Sequence, residues 1–414
     1  MTHAAIWAIT ALTIAAILIR PKGWPEYIWA CSGAILLIAF RLITPEQASL
    51  AAQKGTQVYC FLAGMLLLAE MARRQGLFDW LAVRAVNAAK GSRIRLFTLI
   101  YCVGIVVTAL LSNDATAVVL TPAVYAAVKR AGGAALPYLF ICAFVANAAS
   151  FVFPISNPAN LVIFGRGMPP LAHWLQYFAL PSAVSILATY AGLRLLSRKQ
   201  LAGKITAELP ALPLSRSGAA AGVGILATAI VLAIASALSK PLGVPTLIAA
   251  LVVFACVLLL DRTAFVPTVR EIFWGILPLV AGLFVVVEAL SATGVSASIR
   301  DALHVLASWP DAGASLAASF GSAIVCNIAN NLPVGLLART ALQDHVAPLL
   351  RNAVAVGIDL GPNFSITGSL ATILWLIALR REGEHVSFLT FLKYGIAITA
   401  PALLLATLAV IAGS

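Results

Sequence analysis

Charge is what this chain has least of. Asp, Glu, Lys and Arg make up 10% of its 414 residues, where a soluble domain carries roughly a quarter. Hydrophobic residues reach 61%, and the mean hydropathy is +0.99. Soluble enzymes, nucleic-acid binders and disordered scaffolds are excluded. Cysteine and histidine are equally sparing. Cys31, Cys60, Cys102, Cys142, Cys256 and Cys326 stand singly in apolar stretches with no CxxC, as small buried apolar residues do. His3, His173, His304, His345 and His385 are scattered without metal-ligand spacing, and neither a Ser-His nor an HExxH arrangement occurs. No metal, no cofactor and no catalysis are expected. Nothing at the N-terminus reads as a cleavable signal. Ala4–Ile19 has no positive charge before it and Arg20 and Lys22 after it, which places the N-terminus outside.

What the chain does have is a series of apolar runs of about twenty residues, each sufficient for a roughly 30 Å hydrocarbon core. The net charge of +12 then reports loops on the cytoplasmic side. The one polar linker, 197–217, falls at mid-chain and invites a test for duplication. A shift of 218 residues superposes Ala63-Gly64 on Ala281-Gly282, Glu70 on Glu288, Gly76 on Gly294 and Asn113 on Asn331. Farther on the shift slips by seven, which sets Ile155-Ser156-Asn157-Pro158 against Ile366-Thr367-Gly368-Ser369. Weak internal symmetry of this kind is the signature of a secondary transporter.

The expected fold is an all-α polytopic membrane protein made of two inverted repeats, 1–196 and 218–414, joined by the cytoplasmic linker. Each repeat holds five crossings, a re-entrant hairpin and an interfacial helix. That gives about ten crossings in all. The hairpins are 95–130, with a polar tip at Ser112-Asn113-Asp114, and 312–343, with its tip from Cys326 to Pro333. Broken crossings fall at 136–165 and 348–378, because Pro and Gly interrupt them. The amphipathic stretches 77–90 and 293–308 lie in the interface. With this topology 20 of the 27 Lys and Arg residues fall inside and 7 outside.

Four of the fifteen acids lie well inside apolar segments: Glu70, Asp114, Glu288 and Asp359. A carboxylate at mid-membrane costs about 2.5–3.5 kcal/mol even on an insertion scale, so each is a functional candidate. Asp114 and Asp359 sit at helix breaks and are the candidate proton carriers. Glu70 precedes Arg73 and Arg74 by a helical turn, so an interfacial ion pair is the favoured reading there and at its mate Glu288. Amides concentrate at the same four breaks: Asn113, Asn147, Asn157, Asn160, Asn327, Asn330, Asn331 and Asn363. All of them but Asn363, with Ser112, Ser156, Thr367, Gly368 and Ser369, form the candidate substrate site. Cys326 is a weaker candidate, as a soft ligand. No embedded Lys or Arg stands among them to hold a dianion, which favours a neutral or singly charged substrate.

The runs Leu111-Ser112-Asn113-Asp114-Ala115-Thr116-Ala117, Asn327-Ile328-Ala329-Asn330-Asn331-Leu332-Pro333 and Gly357-Ile358-Asp359-Leu360-Gly361-Pro362-Asn363, continuing through Thr367–Thr372 and on to Trp375, carry a resemblance. With Arg380-Arg381-Glu382-Gly383 they make the chain similar, over nearly its whole length, to the arsenical pump membrane proteins of the ion transporter superfamily. The resemblance implies efflux of arsenite and antimonite across the bacterial inner membrane in exchange for protons. It also implies a soluble ATPase subunit as a partner in some systems; a homo-oligomer is a further expectation. Relatives that couple to sodium carry Ser-Asn-Thr at comparable tips, where this chain has Ser112-Asn113-Asp114 and Asn330-Asn331-Leu332. A sodium/proton antiporter or a sodium-coupled dicarboxylate carrier is the alternative. An intramembrane aspartyl dyad is the remaining enzyme reading, and the duplicated layout speaks against it.

Overall fold

The computed structural model describes residues 2–206, 208–342 and 346–413, all helical apart from turns and loops. His345 and the neighbouring Asp344 lie outside the described residues. In chain order the first half comprises α1 (Thr2–Ile19), α2 (Glu26–Ala39), α3 (Pro45–Gln53), α4 (Thr56–Arg74), α5 (Leu77–Ala89) and α6 (Arg93–Leu110). It continues through α7 (Asn113–Ala115), α8 (Thr121–Arg130), α9 (Leu136–Ala148), α10 (Pro158–Phe164) and α11 (Leu171–Leu196). The second half comprises α12 (Arg216–Ala237), α13 (Gly243–Leu260), α14 (Phe265–Glu271), α15 (Ile276–Ser291), α16 (Val295–Ala307) and α17 (Asp311–Ala329). It ends with α18 (Asn331–Ala341), α19 (Pro348–Leu360), α20 (Leu370–Arg381) and α21 (Phe388–Ala412).

Element by element the halves repeat. Gly76 and Gly294 open α5 and α16 with positive φ, and Ser112 and Asn330, again 218 apart, turn the chain at the two tips with φ of 156° and 70°. Beyond the tips the register is corrected by one residue from the sequence expectation. α9 and α19 begin at Leu136 and Pro348, and α10 and α20 at Pro158 and Leu370, an offset of 212. Asn157 therefore faces Ser369, not Gly368. Each caps the helix that follows it, Asn157 by accepting from Ala159 N–H and Ser369 from Thr372 N–H. Capping chemistry, not residue similarity, fixes where a helix starts.

The halves are interleaved. α2 packs on α15 and α4 on α13, so the second element of each half lies against the third crossing of the other, and α11 packs on α21. Among the described residues, eight helical segments are long and apolar enough to cross a membrane, with α14 and α15 together counting as one, and nine if the bent pair α3–α4 counts as one span. This set differs from the sequence expectation. The hairpin legs α6 and α17, of 18 and 19 residues, reach spanning length, while α2, of 14 residues, does not. The short helices α3 and α14, ahead of the third crossing, were absent from the sequence reading. Thr44 and Gln47 cap α3 reciprocally, the Thr-x-x-Gln signature that announces it.

Ion pairs tie the halves at the helix ends. Glu70 accepts from Arg73 at 2.6 Å, and Arg73 and Arg74 both reach Glu271 of α14. Glu288 instead takes Lys54, after α3, at 2.8 Å. The linker straps the base of the first hairpin: Ile205 N–H donates to Gly91 C=O and Thr206 N–H to Ala131 C=O. Adjacent linker residues touch both ends of the hairpin, so both ends lie on one face.

Candidate functional site

The site is where four helix interruptions meet. Its first component is the tip after α6. Ser112 caps α7 by accepting from Ala115 N–H, and the chain then winds loosely, with i→i+5 bonding, over Thr116–Leu120. Thr108 and Thr116 hydroxyls, 2.8 Å apart, clasp the turn. Asn113 accepts from the Asp114 N–H and donates, at 3.5 Å, to Asn147 on α9. Asp114 itself is 6% exposed, and its carboxylate has no hydrogen-bond partner among the described residues.

The second component is the break after α9. Asn147 donates to Asn363 Oδ1 at 2.9 Å, and Asn363 donates to Phe144 C=O at 2.9 Å, so the two halves exchange amide bonds. Ser150 donates to Asn147 C=O, and Asn160 Nδ2 to Ser150 C=O. Ser156 bonds Ala109 C=O, which fixes this break to α6. Asn157 donates to Asp359 Oδ1 at 2.6 Å, a second link between halves.

The third and fourth components interlock in the second half. Asn327 donates to Ala323 C=O and Gly361 C=O and accepts from Ser365. Thr367 donates to Asn327 C=O, and Asn331 N–H to Gly368 C=O. Asn330 caps α18 by accepting from Leu332 N–H. Gly368 is packed so closely that an added Cβ would lie 2.4 Å from Pro362 Cα. Ser369 hydrogen-bonds the Thr372 hydroxyl.

Asp359 is aimed by its helix. Gly357 and Gly361 form a GxxxG stripe that presses α19 onto α17, against Ser319, Ser322 and Ala323. Two residues from either glycine is the far side of a helix, so Asp359 turns toward α10. It is fully buried, and its Oδ2 makes no hydrogen bond among the described residues; the Ser150 hydroxyl lies beside the carboxyl. Cys326, also fully buried, lies on α17 behind it, its Sγ 4.0 Å from Ile358 C=O.

The junction thus brings together Ser112, Asn113, Asn147, Ser156, Asn157, Asn160, Asn327, Asn330, Asn331, Thr367, Gly368, Ser369, Asp114 and Asp359, from both halves. Glu70 and Glu288 stay outside it, in the ion pairs already described. Ser150 and Ser365 also belong to the junction: Ser150 is a lone serine in an apolar run and carries no positional signal, whereas Ser365 stands in the polar break itself, two residues before Thr367. No group of three His, Cys, Asp or Glu that would hold a metal ion occurs among the described residues.

Comparison with known proteins matches this architecture to transporters. The sequence profile described as "Citrate transporter" matches residues 10–357. The arsenical pump membrane protein of Escherichia coli K12 is 28% identical over 98% of this chain and 97% of its own. That of Yersinia enterocolitica is 27% identical over 84% of each chain. An uncharacterized transporter of Mycobacterium tuberculosis H37Rv is 24% identical over 97% of this chain and 96% of its own. In fold the chain is similar to the crystal structure of the Alcanivorax borkumensis YdaH transporter, described as having an unusual topology. The TM-score is 0.57 at 14% identity, over 94% of this chain and 96% of that one.

Fold and junction define an ion-transporter-type permease, a multi-pass protein of the bacterial cytoplasmic membrane and not an enzyme. The chain belongs to the citrate transporter family.

Proposed function

We propose that the protein extrudes arsenite and antimonite in exchange for protons, by alternating access at the junction of the four breaks. The observation that carries the reading is Asp359: a fully buried carboxylate with Oδ1 held by Asn157, Oδ2 making no hydrogen bond among the described residues, and the Ser150 hydroxyl beside it already donating to Asn147 C=O. A buried polar atom left unpaired costs about 1–3 kcal/mol, and more when charged. A proton on Oδ2 removes that cost, and so does a hydroxyl of a trivalent arsenic or antimony hydroxide. Competition for one oxygen is what obligatory exchange requires. Asp114, the other acid of the junction, serves the same purpose on the first tip. The relatives named as arsenical pump membrane proteins support the substrate class.

A tricarboxylate, which the family name suggests, fits the chemistry less well. Every side chain that the hydrogen bonds above place at the junction is amide, hydroxyl or carboxyl, whereas a polyanion calls for guanidinium or ammonium groups. The inverted repeats 1–196 and 218–414, with the hairpins re-entrant, supply two mutually opposed access routes. Association with a soluble ATPase subunit or with a second copy is compatible with this scheme and is not required by it.

The test is transport in proteoliposomes, with arsenite as substrate and a pH gradient as the only driving force. The wild type is expected to move arsenite against proton flow without sodium, and Asp114→Asn to abolish gradient-driven flux. Full coupling in Asp114→Asn sinks the assignment of that residue. Flux that follows a sodium gradient and ignores pH establishes the sodium-coupled alternative.

A further inference from the structure

α10 and α19 lie antiparallel. Asn157, at the start of α10, bonds Asp359 near the end of α19, and Arg351, in the first turn of α19, stacks on Phe164 at the end of α10, 5.4 Å from the ring centroid. Along this seam stand three buried oxygen acceptors, each without a hydrogen bond among the described residues: Asp359 Oδ2, Asn160 Oδ1 and Asn352 Oδ1. Their residues are no more than 3% exposed. Asn352 precedes Asp359 by two helical turns, so it shares the face turned away from α17 and lies about 10 Å farther along the axis. Asn160 lies one turn into α10, on the face of Asn157. Of the five buried carboxyl and amide oxygens that make no hydrogen bond among the described residues, two belong to Glu26, beside Arg20, and the other three stand on this seam, which calls for a shared explanation.

We infer that the α10–α19 seam is the proton route between Asp359 and the outer end of α19, with Asn352 and Asn160 as its relay acceptors. Each amide oxygen holds a bridging water. A proton passes along the bridging waters by successive transfers and is bound on Asp359 Oδ2, with no redox change and no other co-reactant. Asn352 touches neither the substrate nor the network of the four breaks; it acts through the water it holds. Titratable and charged groups face the seam from the packed elements. Cys326 of α17 lies behind Ile358, Tyr177 of α11 is beside Arg351, and Arg339 of α18 lies against Gly165 at the end of α10. The inference rests on the proton-exchange reading, so its test separates the two.

The experiment measures two fluxes of arsenite in proteoliposomes: net flux driven by a pH gradient, and arsenite–arsenite counterflow at equal pH, which needs no proton movement. Asn352→Leu is expected to lower gradient-driven flux tenfold or more and to leave counterflow within twofold of wild type. Asn352→Asp, which keeps an acceptor, is expected to retain both. If Asn352→Leu is not monodisperse, Asn352→Ala, which adds no bulk, is read in the same way. Unchanged gradient-driven flux in a folded variant overturns the seam while proton exchange stands. Equal loss of both fluxes also overturns it, because that is a structural effect. A wild type that runs counterflow but ignores the pH gradient overturns proton exchange, and the seam with it.

Discussion

Asn147 and Asp359 occupy the same place in the two halves, one residue before the end of α9 and of α19. Their hydrogen bonds run in opposite senses. Asn147 donates to Asn363, whereas Asp359 accepts from Asn157. The tips differ likewise: Asp114 in the first half stands opposite Leu332 in the second. At the helix ends the signs are exchanged, with Arg73 and Arg74 reaching Glu271 on one side and Glu288 reaching Lys54 on the other. The two tips and the helices that follow them start and are capped at matched places in the two halves, while each half holds one acid, at a different element. Equivalent backbone places do not imply interchangeable chemistry.

Three pairs of changes would break or sharpen that comparison. The largest effect is expected from Asp359→Asn, which should lower gradient-driven transport at least a hundredfold. Moving the acid to its mate, as Asn147→Asp with Asp359→Asn, should not restore it. A carboxylate at 147 cannot donate to Asn363, and two facing acceptors repel. Recovery to a tenth of wild-type flux or better would show the halves to be equivalent at this position.

Packing comes next. Gly368→Ala sets a Cβ against Pro362 and Asn327, which should destabilise the protein by about 1–3 kcal/mol as over-packed sites do. Gly76→Ala, with a positive φ of 75° and open space around it, should cost about 1 kcal/mol through its backbone alone. Thermal unfolding in detergent separates the two, and equal losses would contradict the tight interlock of the second break.

Smaller effects belong to the ion pairs. Glu70→Gln leaves Arg73 with Glu271 alone and should cost about 1 kcal/mol, because Glu70 is largely buried. Lys54→Met removes a half-exposed pair, for which a change under about 1 kcal/mol is expected. Transport should stay near wild type in both. A large loss of coupling in either would return Glu70 or Glu288 to the site.

Much of this was legible beforehand because the bilayer is a demanding solvent. Long apolar runs, scarce acids and Pro or Gly at breaks each carry a cost that shows in composition, so the helices, tips and broken segments could be read from letters alone. The one-residue slip at Asn157 and Ser369 was not legible, since similarity among Ile, Ser and Thr is weaker than the cap that starts a helix. Asn352 was passed over because a single amide in an apolar helix has no partner until the neighbouring helix is in place.

The sequence by itself determined that the chain is membrane-embedded, twofold and broken at four polar points, because those properties follow from local transfer costs and backbone preferences. Only the tertiary structure decided that the four points meet, that Asp359 faces α10 while its glycine neighbours face α17, and that three acceptors line one seam. Those facts depend on which helix packs against which. Contacts between residues some two hundred positions apart leave no mark in local pattern.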